Sequence, residues 1–329
     1  MDLNHADQER KMLGVINRYK LDLAFGTDEN DFECSMVISD HCCSAGDYLY
    51  LTDAAAGHVV YTEYGGIIDA VGIDTSAETV TYSGRTWHGI LMKKILCPDA
   101  GQDYLVLSGD ANEVLGELIT RIGLADLFQT SEMESGINIT SYQMDRYIDA
   151  YTGMKKMLKS VGAKLKMYYR DGKVNLYAIP LVDYSKDEEW DSDQMNFSIS
   201  NNHRPTNHLI CLGKGDLKER MVRHLYMDAK GNVSKTQTFF GIDEVTESYD
   251  YSSVESEEEL INSGTERLQE AYSEANTLET DFENNVEYDI GDIVGARENI
   301  TGVKVTRDIV KKIVKVNNNG ISVECQIGE

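Results

Sequence analysis

The sequence predicts an α+β chain that is mostly β: two β-barrel-like modules flanking an inserted α+β module made of two helices plus a hairpin. Three observations lead there. Apolar residues alternate with period 2 before Pro98, recur at helical spacing after it, and alternate again beyond about residue 191. Gly 27 against Pro 3 suits tight turns between strands. Nineteen Tyr against two Trp adds a lean toward pleated surfaces, on which aromatic rings pack well. The expected domains are 1–99, a β-barrel-like module; 100–190, the inserted module; and 191–329, a β module with one helix at about 254–276.

In the first module "RKMLGVINRYKLDLAF" can open with a helical turn before "YKLDLAF" alternates. "GDYLYLTD" and "HVVYTEYGGIIDAVGIDTSAETVTYSG" read as strands cut by Gly and Asp turns. After Pro98, "GDANEVLGELITRIGL" places Val114, Leu115, Leu118, Ile119 and Ile122 on one stripe. Asp110 and Glu113 have capping-box spacing there, and Gly123 stands at the stop. A second helix is expected through "DRYIDAYTGMKKMLKSVG", with Ile148, Tyr151, Met154, Leu158 and Val161 on one side. Then Leu165, Met167 and Tyr169 alternate, Asp171-Gly172 fits a two-residue hairpin turn, and Val174, Leu176 and Ala178 alternate back.

The acidic "DYSKDEEWDSDQ" reads as a linker or exposed edge. Strands return in "NFSIS", "NHLICLGKG" and "RMVRHLYMDAKGNVSKTQTFF". The third helix has Ser256 and Glu259 at capping-box spacing and three Glu at its positive end, with Leu260, Leu268, Tyr272 and Ala275 on one face. The tail from "NVEYDIGDIV" to "ECQIGE" reads as short strands between Gly and Asn turns.

Lys+Arg 31 against Asp+Glu 56 gives a net charge of −25, which disfavours binding to polyphosphates and docking on anionic lipid. No apolar run approaches the roughly 18–20 residues of a spanning helix. "MDLNHADQERK" lacks the basic start and apolar core of a secretory signal, so a soluble chain made in a cytoplasm is expected. Cys34, Cys42, Cys43, Cys97, Cys211 and Cys325 follow no framework spacing and read as reduced, mostly packed thiols. "HCC" at 41–43 is the one metal-like cluster. Adjacent residues on a strand point to opposite faces, so it reads as structural.

"GKG" at 213–215 is an incomplete phosphate loop followed by a strand pattern, and reads as a turn. There is no G-x-S-x-G elbow or H-E-x-x-H helix. His5, His41, His58, His88, His203, His208 and His224 are isolated along the chain and read as packed or surface residues. Between Asp243 and Asp292 stand seventeen Asp/Glu and one basic residue, Arg267. A solvated face is the plain account of that block, because "DIGDIV" lacks calcium-loop spacing. The sequence thus selects no catalytic, cofactor-binding or metal residue, and predicts no enzyme and no cofactor.

"SGRTWHGILMKKILCP" resembles a segment of the tail-hub proteins of siphophages and related prophages, where a Gly-Arg turn leads into a strand or helix closing the first β module. "NHLICLGKGDLKERMVRHLYMDAKGNV" resembles that family's hairpin after its inserted domain. "VEYDIGDIVGARENITGVKVTRDIVKKIVKVNNNGISVECQIG" resembles its C-terminal barrel strands. The matches are spread over roughly 80–329; the first 80 residues carry little that matches. The resemblance implies a structural virion component similar in fold to the trimeric hubs of contractile tails and secretion spikes. It would be a baseplate or tail-tip hub joining the tail tube to tip components.

The implied state is a homotrimer in the virion tail, assembled in the host bacterial cytoplasm beside distal tail, tape measure and tip or receptor-binding proteins. No catalytic residue carries over, and Arg85, Trp87 and His88 become packing groups at a joint. The alternatives are a tail-associated cell-wall hydrolase or peptidase, and a carbohydrate-binding β protein favoured by the Tyr content. Some hubs carry a lytic domain after the hub portion, for which the ending "ECQIGE" leaves no room. No membrane and no stable nucleic-acid binding are expected. Duplex-DNA binding would require a basic patch, for which Lys304, Arg307, Lys311, Lys312 and Lys315 are the candidates.

Overall fold

The computed structural model describes residues 1–27, 29–55, 58–131, 133–186, 189–191, 197–202, 204–229, 231–274, 276–280, 288–297, 299–302, 304–317 and 320–328. His203, most of the acidic stretch 187–194 and residues 281–287 of the acidic block lie outside them. The chain divides into two compact units. The first comprises Met1–Tyr184, Asp281–Val294 and Asp308–Gln326; the second comprises Ser185–Thr280, Gly295–Arg307 and Ile327–Glu329.

The first unit is built on a large antiparallel sheet. Its strands are β1 (Asp2–Ala6), β2 (Met12–Ile16), β3 (Lys20–Gly26), β4 (Asp31–Val37), β5 (Tyr48–Ala55), β6 (His58–Asp74) and β7 (Thr79–Thr86). Strand Lys304–Asn317 pairs with β3 through Lys311–Val316, and the order then runs β3-β4-β7-β6-β5-β1-β2. Strand β2 is an edge among the described pairings and no closed barrel forms among the described residues, so the mostly β, α+β class holds while the barrel-like detail is not borne out. Residues 12–16 are strand rather than a helical turn, because β2 pairs back on β1 across the turn at 7–10.

The segment before Pro98, open to strand or helix, is a short helix, α1, Trp87–Met92. The two helices expected after Pro98 form, with shifted ends: α2 spans Ala111–Arg121 and α3 spans Ala150–Ser160. Asp110 caps α2 by accepting from the backbone of Asn112 at 2.9 Å, and Asp149 caps α3 by accepting from Thr152 at 2.9 Å. Helix α3 starts later than its sequence pattern because Ile148–Asp149 pairs as a short strand with Ile95–Leu96. The hairpin Ala163–Arg170 and Lys173–Pro180 turns at Asp171 and Gly172, both at positive φ (53° and 78°), as a two-residue turn with right-handed twist requires.

Two pairings escaped the periodicity. Leu105–Asp110 pairs with Asn138–Met144, and Phe128–Thr130 lies parallel to the hairpin's second strand. The apolar stripes of α2 and α3 share one core with Tyr48, Tyr50, Trp87 and Tyr169. Residues 100–184 therefore do not stand apart from the first 99, as the change of period suggested. Each helix has one apolar stripe, which must be buried against a partner, and the sheet's aromatic face supplies it.

In the second unit, strands His208–Leu212 and Val222–Met227 form a hairpin. Thr246–Asp250 adds parallel to its first strand. Helix α4 (Glu257–Glu274) buries Leu260 and Leu268 against Leu209, Cys211, Leu225 and Met227. Its first turn holds Glu257, Glu258 and Glu259, where carboxylates face the positive helix end.

Candidate functional site

The segment 82–98 runs from the end of β7 through α1 to the short strand Ile95–Leu96. At its entry the Asp69 position is bulged out of the β6–β7 ladder, and its carboxylate takes a two-pronged contact from Arg85, 2.7 Å from both Nε and Nη2. That contact holds the Asp69 carboxyl below its ordinary range. Backbones then meet too closely for a side chain: a Cβ on Gly84 would lie 1.9 Å from the Ile67 carbonyl oxygen, and one on Gly89 2.0 Å from that of Asn30. The Thr86 hydroxyl caps α1 by accepting from Gly89 at 3.2 Å.

The next two side chains are fully packed. The Trp87 indole stacks on Tyr169 (5.1 Å between centroids, 7° between planes), and Tyr169 packs on Tyr50 at 4.6 Å. The His88 ring lies flat on Phe25 at 4.2 Å and meets Tyr151 edge-on at 5.1 Å. Among the described residues Trp87 Nε1, His88 Nδ1 and Tyr169 Oη have no hydrogen-bond partner, so stacking is obtained here against a desolvation cost. Burial drives His88 from 6.5 down to about 3, so the ring is neutral and cannot exchange a proton near neutrality.

Below the joint lies a network that the sequence reading missed. Lys164 Nζ reaches Asp289 Oδ2 at 2.8 Å and Asp292 at 2.6 and 2.8 Å. Lys166 Nζ lies 2.6 Å from Asp289 and 3.3 Å from Glu63, and Lys312 Nζ lies 3.0 Å from Glu63 and 3.4 Å from Asp289. Lys312 and Asp292 are 0% exposed. Asp292 also accepts from the backbone N–H groups of Val182 (2.8 Å) and Asp289 (3.0 Å).

Three lysines thus face three carboxylates with no net charge. Burial alone would raise the Glu63 carboxyl, but Lys312 and then Lys166 outweigh it and hold the group below its ordinary value. Asp289 is depressed for the same reason, while burial opposes and Glu63 chiefly supports the raised value at Lys312. A signal existed in the sequence: in "KKIVKV" alternation puts Lys312 on the face of Val314 and Val316, which is the core face.

The other candidates fall out separately. Lys214 of "GKG" pairs with Glu255, and its backbone bonds Val254 and Met221, so the segment is a turn. The five candidate basic residues form no common patch. Lys312 is buried, Lys311 pairs with Glu29 and Lys315 with Glu324, and Lys304 and Arg307 line a cleft of about 470 Å³ in the second unit with Asp228 and Asp243. The acidic block also gives two members to the lysine network, the buried Asp292 and the half-buried Asp289.

The structure does bring two histidines together. His208 Nε2 lies 2.8 Å from His224 Nδ1, and His208 Nδ1 lies 2.6 Å from Glu244. The Thr246 hydroxyl lies 3.1 Å from the same Nδ1, which it shares with Glu244, and is not presented as a nucleophile. His58 is exposed at the start of β6. Among the described residues no helix is long and apolar enough to cross a membrane.

No family model matches the chain, and no curated protein matches its sequence. Its fold is like that of two prophage tail proteins of solved structure. It is similar to the 43 kDa tail protein of prophage MuSo2 from Shewanella oneidensis, at 10% identity and TM-score 0.55, over 99% of this chain and 98% of that one. It is likewise similar to the prophage tail protein gp18 from Listeria monocytogenes EGD-e, at 12% identity and TM-score 0.52, over 100% of this chain and 94% of that one.

Proposed function

We propose that this chain is a structural phage or prophage tail protein, a baseplate or tail-tip hub joining the tail tube to tip components. The observation that carries the reading is likeness of fold over essentially the whole of both chains, 99% and 98% with the MuSo2 tail protein. The joint agrees with it, because Arg85, Trp87 and His88 pack, pair and stack, and none is presented to a substrate. The protein acts by assembly, without catalysis, as a homotrimer in the virion tail with distal tail, tape measure and tip proteins as neighbours. It holds no stable nucleic acid.

The open end of the sheet suits such contacts. Strand β2 is an edge among the described pairings and exposes Met12, Leu13 and Val15, and an apolar edge invites covering by another chain. Electron microscopy of virions labelled on this protein is the test. A label at the tail tip, in three copies, is expected. A label on the capsid overturns the hub, and one or six copies at the tip overturn the homotrimer.

A further inference from the structure

The HCC segment does not lie on a strand. After β4 the chain makes a short 3-10 turn, Ile38–Asp40, and residues 41–47 form a loop. Strand alternation therefore does not apply, and Cys42 Sγ and Cys43 Sγ stand on one side, 3.6 Å apart. Strand β1 brings the His5 imidazole to them, so that one ligand atom from each of His5, Cys42 and Cys43 lies within 4.8 Å of the others.

The loop is held in this shape from below. The buried Tyr82 hydroxyl lies 2.6 Å from His41 Nδ1 and accepts from the backbone N–H groups of Cys42 (3.3 Å) and Cys43 (3.4 Å). His41 is engaged by that hydroxyl, and the imidazole grouped with the two thiols is that of His5. Asp47 Oδ2 accepts from Ser44 N and lies 2.8 Å from His5 Nε2. A carboxylate at that distance selects the tautomer with the proton on Nε2, which leaves the Nδ1 lone pair for a ligand; Nδ1 makes no hydrogen bond among the described residues.

We propose that His5, Cys42 and Cys43 form a zinc site, with Asp47 orienting the imidazole from behind and water in the fourth position. The spacing fits the ion. Two thiolates about 2.3 Å from a tetrahedral Zn²⁺ stand roughly 3.8 Å apart, close to the separation found here. Two sulfurs and one imidazole are the donor set that suits a borderline-soft d¹⁰ cation rather than Mg²⁺ or Ca²⁺. Binding balances in charge: each thiol gives its proton to solvent, and two thiolates neutralise the ion.

The test uses the full chain, reduced and freed of metal by chelator, titrated with Zn²⁺ by calorimetry and with Co²⁺ by absorption. Expected are one ion per chain, thiolate-to-cobalt charge-transfer bands with tetrahedral d–d intensity, and affinity that rises with pH. Cys42 is exposed, so Cys42→Ser leaves the core intact and should weaken binding at least about tenfold, as should Asp47→Asn at the second layer. Cys97→Ser, at an exposed cysteine outside the cluster, should change nothing. No uptake by the reduced chain, an octahedral cobalt spectrum without charge transfer, or unaltered binding in Cys42→Ser would each overturn the site.

Discussion

The two units use the same ion-pair chemistry in opposite settings. In the first, Lys164, Lys166 and Lys312 meet Glu63, Asp289 and Asp292 largely shielded from water, with only Lys166 and Asp289 partly exposed. In the second, Lys214–Glu255, Arg220–Asp250 and Arg223–Glu257 lie across the surface around the start of α4. An exposed pair trades hydration for a contact of similar worth and is screened by salt, so it contributes little. A buried pair has already lost its hydration, and removal of one partner leaves the other charge stranded. The comparison teaches that number of pairs says little about stability, whereas burial of the partner that remains says much.

The largest effect should come from breaking the buried network at its most enclosed member. Lys312→Met keeps the aliphatic stem but leaves Glu63 and Asp289 with one positive partner fewer, and should cost about 3–5 kcal/mol in urea unfolding. Addition of Glu63→Gln to that variant should recover part of the loss, since it removes the stranded charge. A loss no larger than that of a surface pair would erase the distinction between the two units.

Acid should have the next largest effect, for two reasons with the same sign. His88 is held neutral down to about 3 in the folded chain but takes a proton near 6.5 when unfolded, so the unfolded state binds the extra proton between those values. Stability then falls as pH drops through that window, by about 1.4 kcal/mol per unit from this one group. Glu63 and Asp289, depressed when folded, stabilise above their ordinary values, and that contribution is lost as pH falls further. At the alkaline end Lys166 and Lys312, raised when folded, stabilise fully below 10.5, and that contribution is lost as pH rises through their folded values. Burial also raises the thiols of Cys34 and Cys325, so stability starts to fall as pH rises past their ordinary value of 9.0. Unfolding curves against pH should therefore be flat only from about 6.5 to about 8.5, and His88→Phe should lose the slope between 6.5 and about 4.5, above the range of Glu63 and Asp289. A wild-type curve flat through that acid window would mean that His88 is not buried as described.

What was legible in the sequence follows the range of the interactions. Helices α2 and α4 and the hairpin at Asp171-Gly172 carry their signals within a few residues: a cap, a stripe, a turn dipeptide. The joint was legible as a dense segment whose role came through resemblance. Lys312 and Glu63 stand far apart in the chain, and nothing local announces their meeting. The short pairing of Ile148–Asp149 with Ile95–Leu96, which delays α3, is equally non-local. The cysteine pair was misread for a different reason: its geometry depends on the loop and on the Tyr82 hydroxyl beneath it, so assuming a strand sent one thiol to the wrong face.

The smallest expected effect tests the other side of the comparison. Arg223 and Glu257 meet at 2.6 Å, and the contact holds the Glu257 carboxyl below its ordinary value. On distance alone this pair matches Lys164–Asp292 at 2.6 Å. Both of its members keep much of their contact with water, however, and Glu257 also sits at the N-terminal end of α4 beside Glu258 and Glu259. Glu257→Gln keeps the side-chain length and a hydrogen-bond acceptor while removing the charge, and two neighbouring carboxylates still face the helix end. The melting temperature should stay within experimental error of the parent at physiological salt, and any difference at low salt should vanish as salt is added. A loss approaching that of Lys312→Met would mean that separation, rather than burial, sets what an ion pair contributes in this fold.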